Sequence, residues 1–393
     1  MNKIIIIIKL FFKTKFIFKN PKQNNLIIFD DTSIDELKFI IKDYNYFILE
    51  TRIKNITCIY LSFDIIFSTF KNYKGNFLTA YLIAIIDLVS PKAILTYIDN
   101  SHKFSEIARI RFKDYKFIAL QNGARYEHKI WKYLYKKKYV KNYVNLFVPN
   151  FLCFSNYEID DYKKNNVEVG KFLPVGNLRT ANFYKELKNK KINIKKKYDI
   201  CYISEPYAWD LMLNQANLKM EEGIGKLLKF TIKFSMENKM KFIIASRHSK
   251  SEKKKLAIEK KFYRKYLNND ELNYLAKNFY YRGTKFLSYV LMSQSEVVVS
   301  TMSTMLRENL YLKGKVLACN FTPTNIFNFP IKGICSLKNC SYYDFNKRLI
   351  YLKKISNKEY FLKIKKNNYY SNSLKNPTVA HSNIKKALHQ LMI

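Results

Sequence analysis

The sequence lacks the residue clusters and spacings that usually build a metal site. Its 393 residues include 9 glycines, 5 histidines and 6 cysteines. Cys335 and Cys340 are widely spaced and have no histidine nearby, so a zinc site is not expected. Most of the other cysteines lie in strand-like runs, which indicates free buried thiols in a reducing compartment. No strict Asp-x-Asp pair occurs between apolar residues, the nearest being Glu158–Asp161, so we predict no metal and no bound cofactor.

Long apolar runs are also missing. The stretch in residues 1–18 is short and broken by lysines, so it cannot span a bilayer, and no small-residue cleavage site follows it. We predict a first strand here, with a peripheral membrane anchor as the alternative. That anchor would use four side chains: Phe11, Phe12, Phe16 and Phe18. The apolar segment Phe77–Val89 contains Asp87 and predicts a buried helix. We predict a cytoplasmic protein, with and without peripheral contact at the inner membrane face left as open alternatives.

Negative charge is scarce, and the formal net charge is +39. Because ten of the 70 basic residues are arginines, most of this charge belongs to lysines that we interpret as a solvated surface. No nucleic-acid-binding motif is present, so no specific nucleic-acid partner is predicted, and any such binding would be weak and electrostatic. The basic surface favours phosphorylated substrates and anionic lipid leaflets.

Strand-like and helix-like runs alternate from Leu26 nearly to the end of the chain, which predicts an α/β fold with mostly parallel sheets covered on both faces. The charged stretch 188–197 has no packing period, and the alternation restarts at Tyr198. We therefore predict two Rossmann-like domains that face an interdomain cleft. The predicted boundaries are 1–187 and 198–353, with a helical tail at 354–393 and a disordered patch at Asn367–Asn376.

The most informative segment is Glu296–Asn320, which reads as strand, helix and strand. Hydroxyl side chains cluster where its first strand gives way to the helix: Ser300, Thr301, Ser303 and Thr304. Free N–H groups and the helix dipole favour an anion such as phosphate at that point. Glu308 follows on the helix, within reach of a ribose or sugar hydroxyl. The alternative is ordinary helix capping, which any such unit shows.

Rare glycines and arginines follow several strands, at the edge where ligands bind in parallel sheets. Gly123, Gly176 and Gly283 each follow a predicted strand within three positions, whereas Gly223 and Gly225 lack the spacing of a phosphate-binding loop. Arginine can clamp a diphosphate with two hydrogen bonds. Three arginines are candidates, with surface ion pairs as the alternative: Arg125, Arg179 and Arg247.

Other polar residues at strand ends are candidates for catalysis or binding. His248 could act as a general acid or base or bind phosphate, although a loop histidine is often merely solvated. Asp99 could be a base or could cap the next helix. Glu205 ends the first strand of the second predicted domain.

Together these features resemble the GT-B class of sugar-nucleotide enzymes, and more closely a group of bacterial surface-carbohydrate biosynthesis proteins. The residues that carry the resemblance are LIIFDDTSIDELKFII near the start, Leu95–Ser101, Phe117–Arg125, Tyr198–Pro206 and Glu296–Asn320. The resemblance implies a GT-B-like fold in which the first domain binds the acceptor and the second binds the nucleotide diphosphate. It implies roles in donor binding for the hydroxyl cluster and Gly314, and ribose binding for Glu308.

Gln121 and Asn122 resemble part of the His-Gly loop of teichoic-acid polymerases, but Asn122 stands where those proteins have histidine. The base would then be Asp99, His128 or His248.

The leading hypothesis is a transferase that moves a glycosyl or polyol-phosphate unit from a UDP- or CDP-activated donor to a glycan or lipid-linked acceptor. Two alternatives stay open. One is a non-hydrolysing UDP-sugar 2-epimerase, and the other is a catalytically degenerate GT-B-like binding protein.

Overall fold

The computed structural model describes residues 14–52, 56–138, 145–165, 167–205, 218–283, 286–365 and 379–393. Contacts divide the chain into two α/β units. The described residues within 1–122, 144–179 and 379–393 form the first unit, and those within 123–143 and 180–378 form the second. The predicted α/β class with two Rossmann-like domains and C-terminal helices is confirmed.

The first unit is built on a six-stranded parallel sheet in the order β3-β2-β5-β6-β7-β8, beside a separate parallel pair of β1 and β4. The strands are β1 Lys15–Ile17, β2 Leu26–Phe29, β3 Tyr46–Leu49, β4 Cys58–Tyr60, β5 Ala93–Thr96, β6 Lys116–Leu120, β7 Phe147–Cys153 and β8 Glu168–Pro174. The central strands are continuous apolar runs because helices cover both faces of the sheet. Its helices are α1 Ile34–Ile41, α2 Phe63–Lys71, α3 Phe77–Val89, α4 His102–Arg111, α6 Asn156–Lys164 and α15 Ala380–Met392.

Alternate residues of the strands form two core layers, since successive side chains point to opposite faces. Ile27 and Phe29 pack with α3 and α4 on one face. Leu26 and Ile28 pack with α1 and with Ile384 of the last helix on the other. The end of the chain therefore contributes to the core of the first unit, whereas the sequence suggested a separate tail.

Gly176 shows why this packing needs a glycine. Its φ is 93°, in the left-handed region, and a Cβ at this position would lie 3.1 Å from the Cβ of Ala380. The glycine that the sequence marks as a strand exit thus allows α15 to approach the backbone closely.

The second unit contains a six-stranded parallel sheet in the order β11-β10-β9-β12-β13-β14. The strands are β9 Tyr198–Ile203, β10 Phe242–Ala245, β11 Phe279–Tyr280, β12 Ser295–Ser300, β13 Lys315–Asn320 and β14 Ser336–Lys338. The helices are α5 Glu127–Lys136, α7 Leu178–Lys190 (which begins in the first unit), α8 Met220–Glu237, α9 Lys253–Tyr266, α10 Asn269–Lys277, α11 Leu287–Ser293, α12 Thr304–Tyr311, α13 Tyr342–Lys354 and α14 Asn357–Lys365. The strand order reverses between β9 and β12. That reversal is the topological switch point where open α/β sheets bind ligands.

Several predicted elements differ from the structure in detail. The sequence pattern did not predict helices α2, α5, α6 and α10, each of which is short. A 3-10 turn at Asp31–Ser33 precedes α1, and Asp30 caps it by accepting a hydrogen bond from Thr32 N at 2.9 Å. The first predicted strand is seen only at Lys15–Ile17. Residues 1–13 of that prediction lie outside the described residues, as does Asn367–Asn376.

Within the described part of the chain, none of the helices has the length and apolarity needed to cross a bilayer. Nor do the described residues include a group of three or more His, Cys, Asp or Glu side chains that could hold a metal ion. All six cysteines are free thiols, and four of them are buried: Cys153, Cys201, Cys319 and Cys335.

Candidate functional site

The switch point of the second unit joins Glu205 to the start of α12. One carboxylate oxygen of Glu205, Oε2, accepts hydrogen bonds from Ser300 Oγ at 2.6 Å, Thr301 N at 3.0 Å and Met302 N at 3.2 Å. The side chain is 7% exposed. The structure therefore brings three predicted site residues together. It also shows that the backbone amides at positions 301 and 302, predicted to face a phosphate, are already bonded to a carboxylate of the protein.

Burial raises the pKa of the Glu205 carboxyl above its ordinary value, because a desolvated carboxylate is less stable than the neutral acid. Hydrogen bonds from Ser300, Met302 and Thr301 oppose this shift, and so does the positive charge of Arg247. The exposed Arg247 follows β10, the neighbour of β9, so its charge lies at the same edge of the sheet.

The hydroxyls beyond position 302 are arranged differently. Ser303 caps α12, and its Oγ accepts a hydrogen bond from Met305 N at 3.3 Å. Thr304 Oγ1 accepts one from Ala124 N at 2.9 Å. Thr301 Oγ1 is buried and has no hydrogen-bond partner in the described part of the protein. Ser303 and Thr304 are half-buried, so this end of the cluster is the part open to a ligand.

Arg125 lies beside this cluster. A Cβ at Gly123 would lie 3.2 Å from Thr304 Oγ1 and 3.5 Å from Arg125 Nη1. The glycine therefore allows residues 123–125 to approach the N-terminus of α12 within the second unit, and the Arg125 guanidinium and the half-buried Thr304 hydroxyl both lie close to this glycine. Arg125 and Thr304 are separate candidates in the sequence, which cannot show that Ala124, next to Arg125, bonds to Thr304 across 180 positions.

His248 and its neighbours occupy the carboxyl end of β10. The imidazole is partly buried, with Nδ1 3.9 Å from Glu252 Oε2. Burial lowers the pKa of His248, although the carboxylates of Glu259 and Glu252 oppose the shift. The neutral imidazole is therefore favoured at pH 7. Arg282 N donates to the His248 carbonyl at 3.0 Å, which ties the segment before the exposed Gly283 to this loop.

A buried carboxylate that the sequence analysis missed lies behind this edge. Glu259 on α9 accepts hydrogen bonds from Ser204 Oγ at 2.6 Å, Tyr263 Oη at 2.5 Å and Ser246 Oγ at 3.0 Å. The network holds the ends of β9 and β10 in place. Ser204 and Ser246 directly precede the site residues Glu205 and Arg247. These two serines at strand ends were the sequence feature that could have indicated a buried polar partner such as Glu259.

Glu308 lies on α12, one turn after Thr304, and is 1% exposed. Its flanking residues Arg307 and Asn309 are buried as well. Asn309 Nδ2 donates to the Lys315 carbonyl at 3.1 Å, so this part of the helix is packed into the unit. A ribose could contact Glu308 only after local rearrangement.

In the first unit, predicted residues meet at the ends of β5 and β6. Asp99 Oδ1 accepts a hydrogen bond from Asn122 N at 3.2 Å. Asp99 does not cap the next helix, because Ser101 does so by accepting from Phe104 N. This leaves the carboxylate, 5% exposed, beside Asn122.

Gln121 and Arg179 support this cluster. Gln121 Oε1 accepts a hydrogen bond from Phe154 N at 2.8 Å, which joins the ends of β6 and β7. Arg179 Nη1 lies 3.5 Å from the Asn122 carbonyl, and its guanidinium carbon lies 5.7 Å from the centre of the Tyr97 ring. His128, the other candidate base, is buried on α5 of the second unit.

Asp30, a second residue that the sequence analysis missed, ends β2 at the switch point of the first sheet. It has φ 83°, an uncommon value for a residue other than glycine. Its carboxylate accepts hydrogen bonds from Thr32 Oγ1 at 2.7 Å and Arg52 Nε at 2.5 Å. Burial opposes ionisation, but these bonds and the Arg52 charge hold the pKa of Asp30 below its ordinary value. The sequence feature that could have identified Asp30 is the pair of acidic residues, Asp30 and Asp31, directly after the strand LIIF.

Known proteins resemble this chain in structure and not in sequence. Neither the protein-family models nor the curated protein sequences gave a match. Among solved structures, the UDP-GlcNAc 2-epimerase of Methanocaldococcus jannaschii, in complex with UDP-GlcNAc and UDP, superposes with a TM-score of 0.54 and 12% identity over 93% of this chain and 99% of that one. MnaA of S. aureus, solved with UDP, gives 0.52 and 12% over 94% and 95%. A variant of the wall teichoic acid polymerase TagF gives 0.50 and 10% over 94% and 89%. The chain thus shares the GT-B-like fold of these proteins, as its sequence predicted.

Proposed function

We propose that the second unit binds the diphosphate of a nucleotide sugar, and that the chain transfers a glycosyl or polyol-phosphate unit from it to a glycan or lipid-linked acceptor. The observation that carries the proposal is the half-buried end of the hydroxyl cluster, where Thr304 and the start of α12 lie beside Arg125 at the switch point. Helix N-termini and arginines are the protein groups best suited to a diphosphate without a metal. Solved proteins of the same fold contain UDP or UDP-GlcNAc, which supports this ligand class.

Within this proposal the phosphates contact Ser303, Thr304, Arg125 and Arg247, while Glu308 binds the ribose after local opening. Arg247 offsets the carboxylate of Glu205, which would otherwise repel the ligand. Stabilising the departing diphosphate by these fixed charges and dipoles would be the main contribution to catalysis.

In the first unit, we propose that Asp99 accepts the proton of the acceptor hydroxyl. Its buried carboxylate is held beside Asn122 and is not used for helix capping. Gln121 acts by positioning, since it connects two strand ends. His248 serves the donor rather than the acceptor, because its loop lies at the end of β10 in the second unit.

Calorimetric titration with UDP and CDP tests the donor site. Arg125→Ala and Arg247→Ala should each weaken binding by about tenfold or more, as expected for a lost charge-assisted hydrogen bond. Arg264→Ala is the matched control, because Arg264 is exposed on α9 away from the sheet edge. Equal affinities in all three variants would overturn the assignment of the phosphate site.

An alternative is a non-hydrolysing UDP-sugar 2-epimerase. It is favoured by the buried carboxylates that the structure reveals in the second unit, Glu205, Glu259 and Glu308. Incubating the protein with UDP-GlcNAc and no acceptor separates the two activities, since only the epimerase needs no second substrate. Nucleotide binding without turnover in either assay would instead indicate a binding protein.

A further inference from the structure

The first unit exposes an aromatic surface that its core does not use. This aromatic patch consists of Phe63, Ile66, Phe67, Phe70, Tyr73 and Phe77, whose side chains are between 43% and 92% exposed. Isolated exposed apolar residues are normal, but a contiguous group of large ones marks an interaction surface.

Helix α2 places most of the patch on one face. Phe63, Ile66, Phe67 and Phe70 have the i, i+3, i+4, i+7 spacing that normally faces a core. The helix already packs onto the unit through its other side, where Ile65 and Thr69 are buried. Its core contacts are therefore satisfied, and the aromatic face is left for a partner.

The patch is a built surface and not a frayed end. Ser62 caps α2 by accepting a hydrogen bond from Ile65 N, and Asn76 caps α3 by accepting one from Thr79 N. Phe70 and Phe77 meet edge to face with ring centres 6.5 Å apart, which joins the two helices across the turn.

Positive charge surrounds the patch. Lys71 and Lys74 are exposed within it. Asn20 Nδ2 donates to Asp64 Oδ2 at 2.6 Å, which brings the exposed Phe18 and Lys19 to the beginning of α2. The surface thus combines aromatic rings with lysines.

We propose that the aromatic patch docks on a lipid bilayer that contains anionic lipids. Aromatic rings are suited to the boundary between headgroups and acyl chains, and lysines can extend from there to lipid phosphates. A second copy of the chain fits less well, because each copy carries a net charge of +39 and the lysines at the patch would repel one another. This proposal is independent of the proposed nucleotide site, whose residues belong to the other unit.

Vesicle flotation tests it, with vesicles of phosphatidylcholine alone and of phosphatidylcholine mixed with phosphatidylglycerol. The full chain should bind the mixed vesicles and bind the neutral ones at least tenfold more weakly. Phe63→Ser with Phe67→Ser should abolish binding, and Lys71→Gln with Lys74→Gln should weaken it by roughly fivefold for each lysine removed. The control is Tyr343→Ser with Leu362→Ser, which removes exposed apolar side chains from the second unit and should change nothing.

Three outcomes would overturn the proposal. One is absence of binding to mixed vesicles. Another is loss of binding in a variant that lacks residues 1–13 together with full binding by the Phe63/Phe67 variant, which would locate the anchor in the N-terminal phenylalanines. The third is concentration-dependent dimerisation that the Phe63/Phe67 variant abolishes, which would assign the patch to a second copy. Melting temperature and UDP affinity serve as folding controls, and neither should change because both phenylalanines are largely exposed.

Discussion

Replacing Glu205 gives the sharpest test of the site. In Glu205→Ala, Ser300 Oγ, Thr301 N and Met302 N all lose their common acceptor at a position that is 7% exposed. Ser300 Oγ still has the Ile203 carbonyl as an acceptor at 3.1 Å, so the two backbone amides are the donors left unsatisfied. Each buried donor left unsatisfied costs about 1–3 kcal/mol, and water that enters the site recovers part of this. We therefore expect a loss of about 3 kcal/mol, seen as a fall of roughly 10 °C in the melting transition of the second unit.

Glu205→Gln should behave differently. The amide keeps an oxygen that can accept from the same donors, and it carries no charge that must be desolvated. The folded-state pKa of Glu205 is raised above its ordinary value of 4.5. At pH values between 4.5 and the raised pKa, the folded protein therefore binds more protons than the unfolded chain. The free energy of unfolding of the wild type then falls as the pH rises through this range. The Gln variant lacks this loss, so its stability relative to the wild type should increase as pH rises from 4.5.

The assay is calorimetric melting of the wild type and both variants across that pH range, each with and without UDP. If Glu205 occupies part of a phosphate site, saturating UDP should raise the melting temperature of Glu205→Ala more than that of the wild type, because the ligand supplies the missing acceptor. Melting temperatures of Glu205→Ala within one or two degrees of the wild type, with no difference in response to UDP, would refute the reasoning about this carboxylate.

Three further substitutions test the packing described above. Gly176→Ala should destabilise the first unit by about 1–3 kcal/mol in chemical denaturation, since it strains a positive φ and crowds Ala380; a shift below 0.5 kcal/mol would contradict that close approach. Asp30→Ala should destabilise the first unit at neutral pH by about 1–3 kcal/mol. The difference from the wild type should shrink as pH falls through and below 3.8, because the wild type loses its contribution when Asp30 takes up a proton, and a pH-independent difference would argue against an ionised role. Gly225→Ala should destabilise α8 against Tyr266, whose ring atoms would lie 2.5 Å from the new Cβ, and unchanged thermal melting would show that the ring can move away.

The sequence predicted the fold well because local patterns determine it. The alternation predicted to restart at Tyr198 does so with β9, and Glu296–Asn320 forms the predicted strand, helix and strand as β12, α12 and β13. Each is a long, strongly patterned segment whose apolar period does not depend on distant residues.

The internal arrangement of the site could not be predicted in the same way. Glu205 bonds to residues 95 to 97 positions away, and Ala124 bonds to Thr304 across 180 positions. Local patterns mark strand ends as candidates, but only sheet order decides which of them become neighbours. The amides of Thr301 and Met302 therefore had the right chemistry for an anion, while the identity of the anion that they bind in the folded chain depended on β12 pairing with β9.

The docking of α15 on the first sheet has a consequence for biosynthesis. Lys385 pairs with Asp43 at 2.5 Å, and Ile384 packs in one core layer with Leu26 and Ile28. The core around these early residues is therefore completed only after residues more than 300 positions later have been translated. The strands that the structure describes in the second unit come from one continuous stretch between Tyr198 and Lys338, and this unit needs no residue beyond 378. On the ribosome we expect the second unit to fold first. Until α15 is made, one face of the first sheet stays exposed and apolar, and chaperones could bind it.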